Sequence, residues 1–124
     1  MMNPFLQVAI GGAVGSVARY GVYRLMPAGW SGFPVATLIV NVTGSFVMGL
    51  LAALLAHRGG QHLAPLLLTG VLGGYTTFSA FSLDALSLWE RGQMVGASAY
   101  ILVSVVLSLA AVLVGMAVGR GLFA

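Results

Sequence analysis

Two sets of polar residues recur at intervals of four inside apolar stretches: Thr37, Asn41 and Ser45 in one, Tyr100, Ser104 and Ser108 in another. Residues four apart stack on one face of a helix, so each set forms a stripe of neutral hydroxyl and amide groups. Such groups give and take hydrogen bonds and carry no charge. In lipid a polar stripe must face protein or water. Either it glues helices together, or two stripes line one path along which a small ion trades its water for protein donors.

A third segment concentrates more unusual chemistry. Gly70, Gly73 and Gly74 precede Tyr75-Thr76-Thr77-Phe78-Ser79-Ala80-Phe81 in the middle of an apolar run, where helical hydrogen bonding is expected to falter. Backbone that leaves a helix at membrane depth must be buried or line a cavity, and its freed carbonyls can coordinate a cation. The alternative is a continuous helix whose glycines pack closely on a neighbour. Phe78 and Phe81, three apart, share a face and serve equally as core or as a pair of rings beside a ligand. Arg19 is the ionisable group set well inside a span. It either snorkels to the interface or holds positive potential over an anion vestibule. Asp84 and Glu90 fall late in the third segment and form no acid/base pair. His57 and His62 share a connection without a carboxylate nearby, which argues against a metal or catalytic role.

The elements that must position these groups follow from composition. Of 124 residues 60% are apolar and 6% charged, too few polar groups to cover a soluble globule. A spanning helix needs about 20 mostly apolar residues, and polar punctuation divides the chain into spans near 4–26, 34–56, 63–89 and 93–120. The expectation is therefore an all-α integral membrane protein, a single transmembrane domain over residues 1–124, multi-pass, with a break in the third helix. The connections Pro27 to Phe33, His57 to His62 and Glu90 to Gly92 hold Pro-Ala-Gly, Arg-Gly-Gly and Arg-Gly turn signals. The first apolar run has no basic residue before it, so it reads as a retained span and not a signal peptide. Gly11 and Gly15, with Gly12 and Ser16 one residue along, make a close-packing face. Cysteine is absent, which excludes disulfides and thiolate metal sites, and the five basic residues are dispersed arginines, which argues against nucleic acid as a partner. Four spans place Arg58 and Arg120 on one side and Arg24 and Arg91 on the other. That balance gives the positive-inside rule little to act on and permits insertion both ways round.

Taken together, Gly11-Gly12 with Gly15-Ser16-x-x-Arg19-Tyr20, Thr37-Leu38-x-x-Asn41-x-x-Gly44-Ser45-Phe46, and Gly70-x-x-Gly73-Gly74-x-Thr76-Thr77-Phe78-Ser79-x-Phe81-Ser82 closely resemble the small fluoride channel family, Fluc or CrcB. The Gly-Gly-x-Thr-Thr-Phe-Ser-x-Phe string is the specific part. The resemblance implies an antiparallel, dual-topology homodimer in the cell (inner) membrane, with two fluoride pores and one structural sodium ion at the dimer interface. By position, Asn41 resembles the pore amide that donates to fluoride, and Phe78 and Phe81 the paired rings, whose edges are electropositive. Ser104 and Ser108 with Tyr100 and Thr37 resemble the hydroxyl track, and Gly73 and Thr76 the backbone carbonyl donors to sodium. Tyr75 stands where an aliphatic residue is more usual, and Asp84 where a glutamate is frequent.

The implied function is a fluoride-selective channel that passively exports fluoride from the cytoplasm and so reduces its toxicity. It is not an enzyme: the chain carries no nucleotide motif and no catalytic constellation. A small dual-topology four-helix multidrug exporter is the alternative, and it would need a buried carboxylate to exchange protons for a cationic substrate. Both carboxylates here fall late in the third span. An accessory helical subunit would explain the glycine faces but not the polar stripes.

Overall fold

The computed structural model describes residues 2–26 and 33–122. The connection read over Pro27 to Phe33 lies, except for Phe33, outside the described residues. Four stretches are long and apolar enough to cross a membrane: Pro4–Leu25, Val35–Arg58, Gln61–Glu90 and Met94–Gly121. The described residues contain no strand. The protein is a multi-pass membrane protein built of helices.

Helix α1 spans Pro4–Leu25; Asn3 caps it by accepting from the Phe5 amide at 2.7 Å, and Pro4 occupies the first turn, where its missing N–H costs nothing. Helix α2 spans Val35–Arg58 and stops at Gly59, whose φ of 72° is the left-handed conformation that closes a helix. The third span is composite. A π-helical stretch over Pro65–Leu72 leads into the short turn α3, Gly73–Tyr75, and α4 spans Phe78–Glu90. Gly92, with φ 79°, makes the tight turn into α5, Met94–Gly121.

The spans pack in two pairs, and small residues decide which. A Cβ on Gly15 would strike the Val71 carbonyl, and one on Gly11 would strike that of Leu66, so α1 lies directly against the backbone of the third span. Likewise Gly49 of α2 faces the Val112 carbonyl and Gly115 of α5 faces that of Phe46. Without a hydrophobic drive between helices in lipid, close backbone approach at such residues supplies the association. The core between the pairs holds Val40, Leu88 and Tyr100, all essentially inaccessible, with Ala85 and Ala97 beside the last two. Outward faces carry Phe5, Leu25, Val95 and Leu113, as a lipid solvent requires.

Candidate functional site

Between α3 and α4 the backbone of Thr76 and Thr77 is extended, with φ −81°, ψ 157° and φ −150°, ψ 120°. Two adjacent β-branched residues disfavour helix there, and Thr77 restarts it as N-cap of α4, its hydroxyl accepting from the Ala80 amide at 3.1 Å. Asn41, facing this point from α2, grips the Thr77 backbone at both ends. Its Nδ2 donates to the Thr77 carbonyl at 2.9 Å and its Oδ1 accepts from the Thr77 amide at 2.8 Å.

These side-chain bonds have a backbone consequence. In a continuous helix the amide of residue i serves the carbonyl of i−4, so Thr77 would serve Gly73 and Ala80 would serve Thr76. Asn41 takes the first of those amides and the Thr77 hydroxyl the second. The Gly73 and Thr76 carbonyls thereby lose their helical donors at mid-span, and Gly73 is exposed.

A cavity of about 300 Å³ opens beside the extended pair, lined by Asn41, Ser45, Thr76, Phe78, Phe81, Ser104 and Ser108 among others. It brings together five of the eight residues singled out for the pore, from α2, α4 and α5. The Phe78 and Phe81 ring centroids are 5.6 Å apart. Ser104 is 5% exposed and its hydroxyl has no partner, an uncommitted donor within an apolar wall. One hydrogen of Asn41 Nδ2 remains beyond the bond to Thr77, since a primary amide carries two.

Thr37 and Tyr100 stand elsewhere, one layer on. Thr37 Oγ1 donates to Asp84 Oδ2 at 2.7 Å and Tyr100 OH donates to the same oxygen at 3.3 Å. Tyr23 OH lies 2.9 Å from Thr37 Oγ1; as the single Thr37 hydrogen goes to Asp84, the phenol is the donor of that pair. The Phe81 and Tyr100 rings, 5.2 Å apart, link this cluster to the cavity. Arg19 is in neither group. It lines a separate cavity of about 430 Å³ with Ser16, Tyr20, Tyr23 and Ser79.

The family model described as "CrcB-like protein, Camphor Resistance (CrcB)" matches residues 6–116. The chain belongs to the CrcB family. Among its relatives, the "Fluoride-specific ion channel FluC" of Paracoccus denitrificans (strain Pd 1222) is 67% identical over 124 residues, covering 100% of both chains. The proteins of that name from Cereibacter sphaeroides (strain ATCC 17029 / ATH 2.4.9) and Rhizobium meliloti (strain 1021) are 57% and 53% identical, each aligned over 98% of this chain and 98% and 99% of their own lengths.

In this CrcB chain the structure adds partners that the sequence did not name. Asp84, read from the sequence as a late-span acid standing where a glutamate is frequent, is the acceptor at the centre of a hydroxyl cluster; an acid within a span was itself the available signal. Tyr23 lies four residues after Arg19 on the same face of α1, and that spacing could have grouped them. Nothing local announces that Asn41 binds Thr77, 36 positions away. Among the described residues no group of three His, Cys, Asp or Glu is placed to hold a metal.

Proposed function

We propose that the chain is a fluoride-selective channel that exports fluoride passively through the membrane, in a bacterial cell the inner one. One observation carries the reading: a mid-span cavity whose polar lining is uncharged, with the Asn41 amide and the Ser45, Ser104 and Ser108 hydroxyls among its groups, set beside two phenyl rings. Fluoride is a small anion that holds water tightly, and only hydrogen-bond donors and positive ring edges can replace that water. The full-length likeness to proteins named fluoride-specific ion channels supports the same ion. Thr37 and Tyr100 extend the track once an arriving anion displaces Asp84 from their hydrogens, and Arg19 holds positive potential over the mouth. No pump is needed. An anion leaving a cell that is negative inside gains about 2.3 kcal/mol per 100 mV.

The working unit is an antiparallel homodimer. The cavity is open on one side, and Phe78 at its rim is 79% exposed. Polar groups at that depth must be covered by protein or water, which a second copy provides. The extended pair breaks the third span, and the Gly73 and Thr76 carbonyls fit a hard cation such as sodium by the chemistry of the donor set: neutral oxygens relieved of their helical donors. Two copies crossing there would bring four such oxygens together. Sodium would supply the positive charge that satisfies them and hold the two breaks in register.

The deciding measurement is fluoride efflux from liposomes containing the purified protein alone, read with a fluoride electrode. Efflux with exclusion of chloride is expected; a proton-coupled efflux of cationic dye instead would establish the exporter alternative. Orientation is tested by one-sided labelling of a cysteine at Gln61, since a side chain at Gly59 would be strained by its positive φ. Labelling from both sides is expected, and uniform labelling from one side would rule out the antiparallel pair.

A further inference from the structure

Tyr75 is the last residue of α3, immediately before the extended pair. Its OH lies 3.0 Å from Thr43 Oγ1, and the Thr43 hydroxyl donates to the Ile39 carbonyl at 2.6 Å. Since Thr43 has one hydrogen and spends it on Ile39, the phenol is the donor to Thr43. The Tyr75 ring lies against α2 at Gly44, where an added Cβ would sit 3.1 Å from Cδ2 and would strike the Thr76 methyl. A larger residue at position 44 would therefore push both Tyr75 and Thr76 away.

Two tethers thus run from α2 to the third span, one on each side of Thr76. Asn41 holds Thr77, and Thr43 holds Tyr75. The residue between them has its amide bonded to the Leu72 carbonyl at 2.9 Å and its hydroxyl to the same oxygen at 2.8 Å. Only its carbonyl is left over. A hydroxyl pair on this outer face has no water to fall back on at membrane depth, so each group is held by the other.

We propose that Tyr75 is a positioning residue: its hydrogen bond to Thr43 anchors the chain just before the Thr76–Thr77 peptide, whose amide Asn41 holds, and so limits how that peptide turns its Thr76 carbonyl and how tightly the break holds a cation. The cation half of this rests on the sodium reading above; the clamp on the backbone does not. Asn41 holds the Thr76–Thr77 peptide through the Thr77 amide, and the Thr76 amide is tied to the Leu72 carbonyl; Tyr75 adds a hold on α2 from the other side of Thr76.

The test uses full-length protein carrying Tyr75→Phe, Thr43→Val or Thr43→Ser, with two readouts. Amide hydrogen exchange at residues 75–77 reports the clamp. Sodium titration of thermal stability, against N-methylglucamine at constant ionic strength, reports the cation. Tyr75→Phe and Thr43→Val are expected to speed exchange at Thr76 and Thr77 and to raise the half-saturating sodium concentration about three- to tenfold, the effect of losing one interhelical hydrogen bond in a membrane. Thr43→Ser keeps the hydroxyl and should behave as wild type, which a simple loss of packing would not predict. Unchanged exchange in Tyr75→Phe overturns the clamp whatever sodium does. If exchange quickens while the wild type itself ignores sodium, the sodium reading falls and the clamp stands.

Discussion

The cavity beside Thr77 and the cluster around Asp84 are built from the same parts and end in opposite states. Both draw hydroxyls from α5 and a partner from α2, and the Phe81 and Tyr100 rings join them. Around Asp84 every hydroxyl hydrogen is spent: Tyr23 gives to Thr37, and Thr37 and Tyr100 give to one carboxylate oxygen. In the cavity the Ser104 hydroxyl is buried without a partner and one Asn41 hydrogen remains. A committed donor holds structure, and an uncommitted one can serve a passing ion. Polar residues at identical helical spacing therefore end bonded or unbonded according to whether an acceptor stands opposite them.

The contrast breaks most severely if the open side is given an acceptor of its own. Asn41→Asp keeps an oxygen to receive the Thr77 amide and replaces the free donor by a negative charge. A like charge at about 4 Å costs an anion on the order of 4 kcal/mol near a protein surface, roughly a thousandfold in rate. Fluoride efflux from liposomes should fall to background while the protein still elutes at its wild-type volume. Efflux near the wild-type level would take Asn41 out of the path.

Next in size is the removal of the ring edges. Phe78→Ile and Phe81→Ile retain apolar bulk but lose the positive rim, worth about 0.5–1.5 kcal/mol per contact, so each should lower efflux by about two- to tenfold. Phe78 is largely exposed in the single chain, so its replacement should leave monomer stability alone. If both variants conduct normally and melt earlier, the rings are packing.

A paired comparison then sharpens the difference between the two regions. Ser104→Ala removes a hydroxyl that bonds to nothing in the chain, so stability should hold or rise slightly while efflux drops about threefold. Thr37→Val removes a hydroxyl that makes two bonds and leaves Asp84 short of a donor, which should cost about 1–2 kcal/mol. Thermal unfolding followed by circular dichroism, beside the efflux assay, separates the two outcomes. Equal losses of stability would mean that the Ser104 hydroxyl is bonded after all.

How much of this was readable in the residues differs between the two regions for a physical reason. The four spans, the packing glycines of α1 and the grouping of Asn41 with Ser104, Ser108 and the phenylalanines follow from hydropathy, spacing and the family resemblance, because each is a property of one helix face or one short string. The Asp84 cluster joins α1, α2, α4 and α5 through single atoms. Thr37 and Asp84 are 47 positions apart, and no periodicity carries across that distance. The bidentate hold of Asn41 on Thr77 is hidden in the same way. So is Tyr75, which reads as a departure from a familiar string and turns out to face Thr43 across the helix pair.

The smallest expected effect is also the one that most directly probes the committed side. Tyr23 donates to Thr37 Oγ1, but Thr37 needs only its own hydrogen to hold Asp84, and a hydroxyl oxygen tolerates an empty lone pair better than a half-buried carboxylate tolerates a missing donor. Tyr23→Phe keeps the ring and removes that one bond. The expected loss is about 0.5 kcal/mol, near the mean for interhelical hydrogen bonds in membranes, and fluoride efflux should stay within about twofold of wild type because the Thr37–Asp84–Tyr100 bonds survive. The variant should therefore be distinguishable from Thr37→Val by stability and from Phe78→Ile by efflux. An efflux loss as large as that of Phe78→Ile would mean that the orientation of the Thr37 hydrogen controls passage as strongly as the rings do, and the committed cluster would then belong to the ion's path on the same footing as the open cavity.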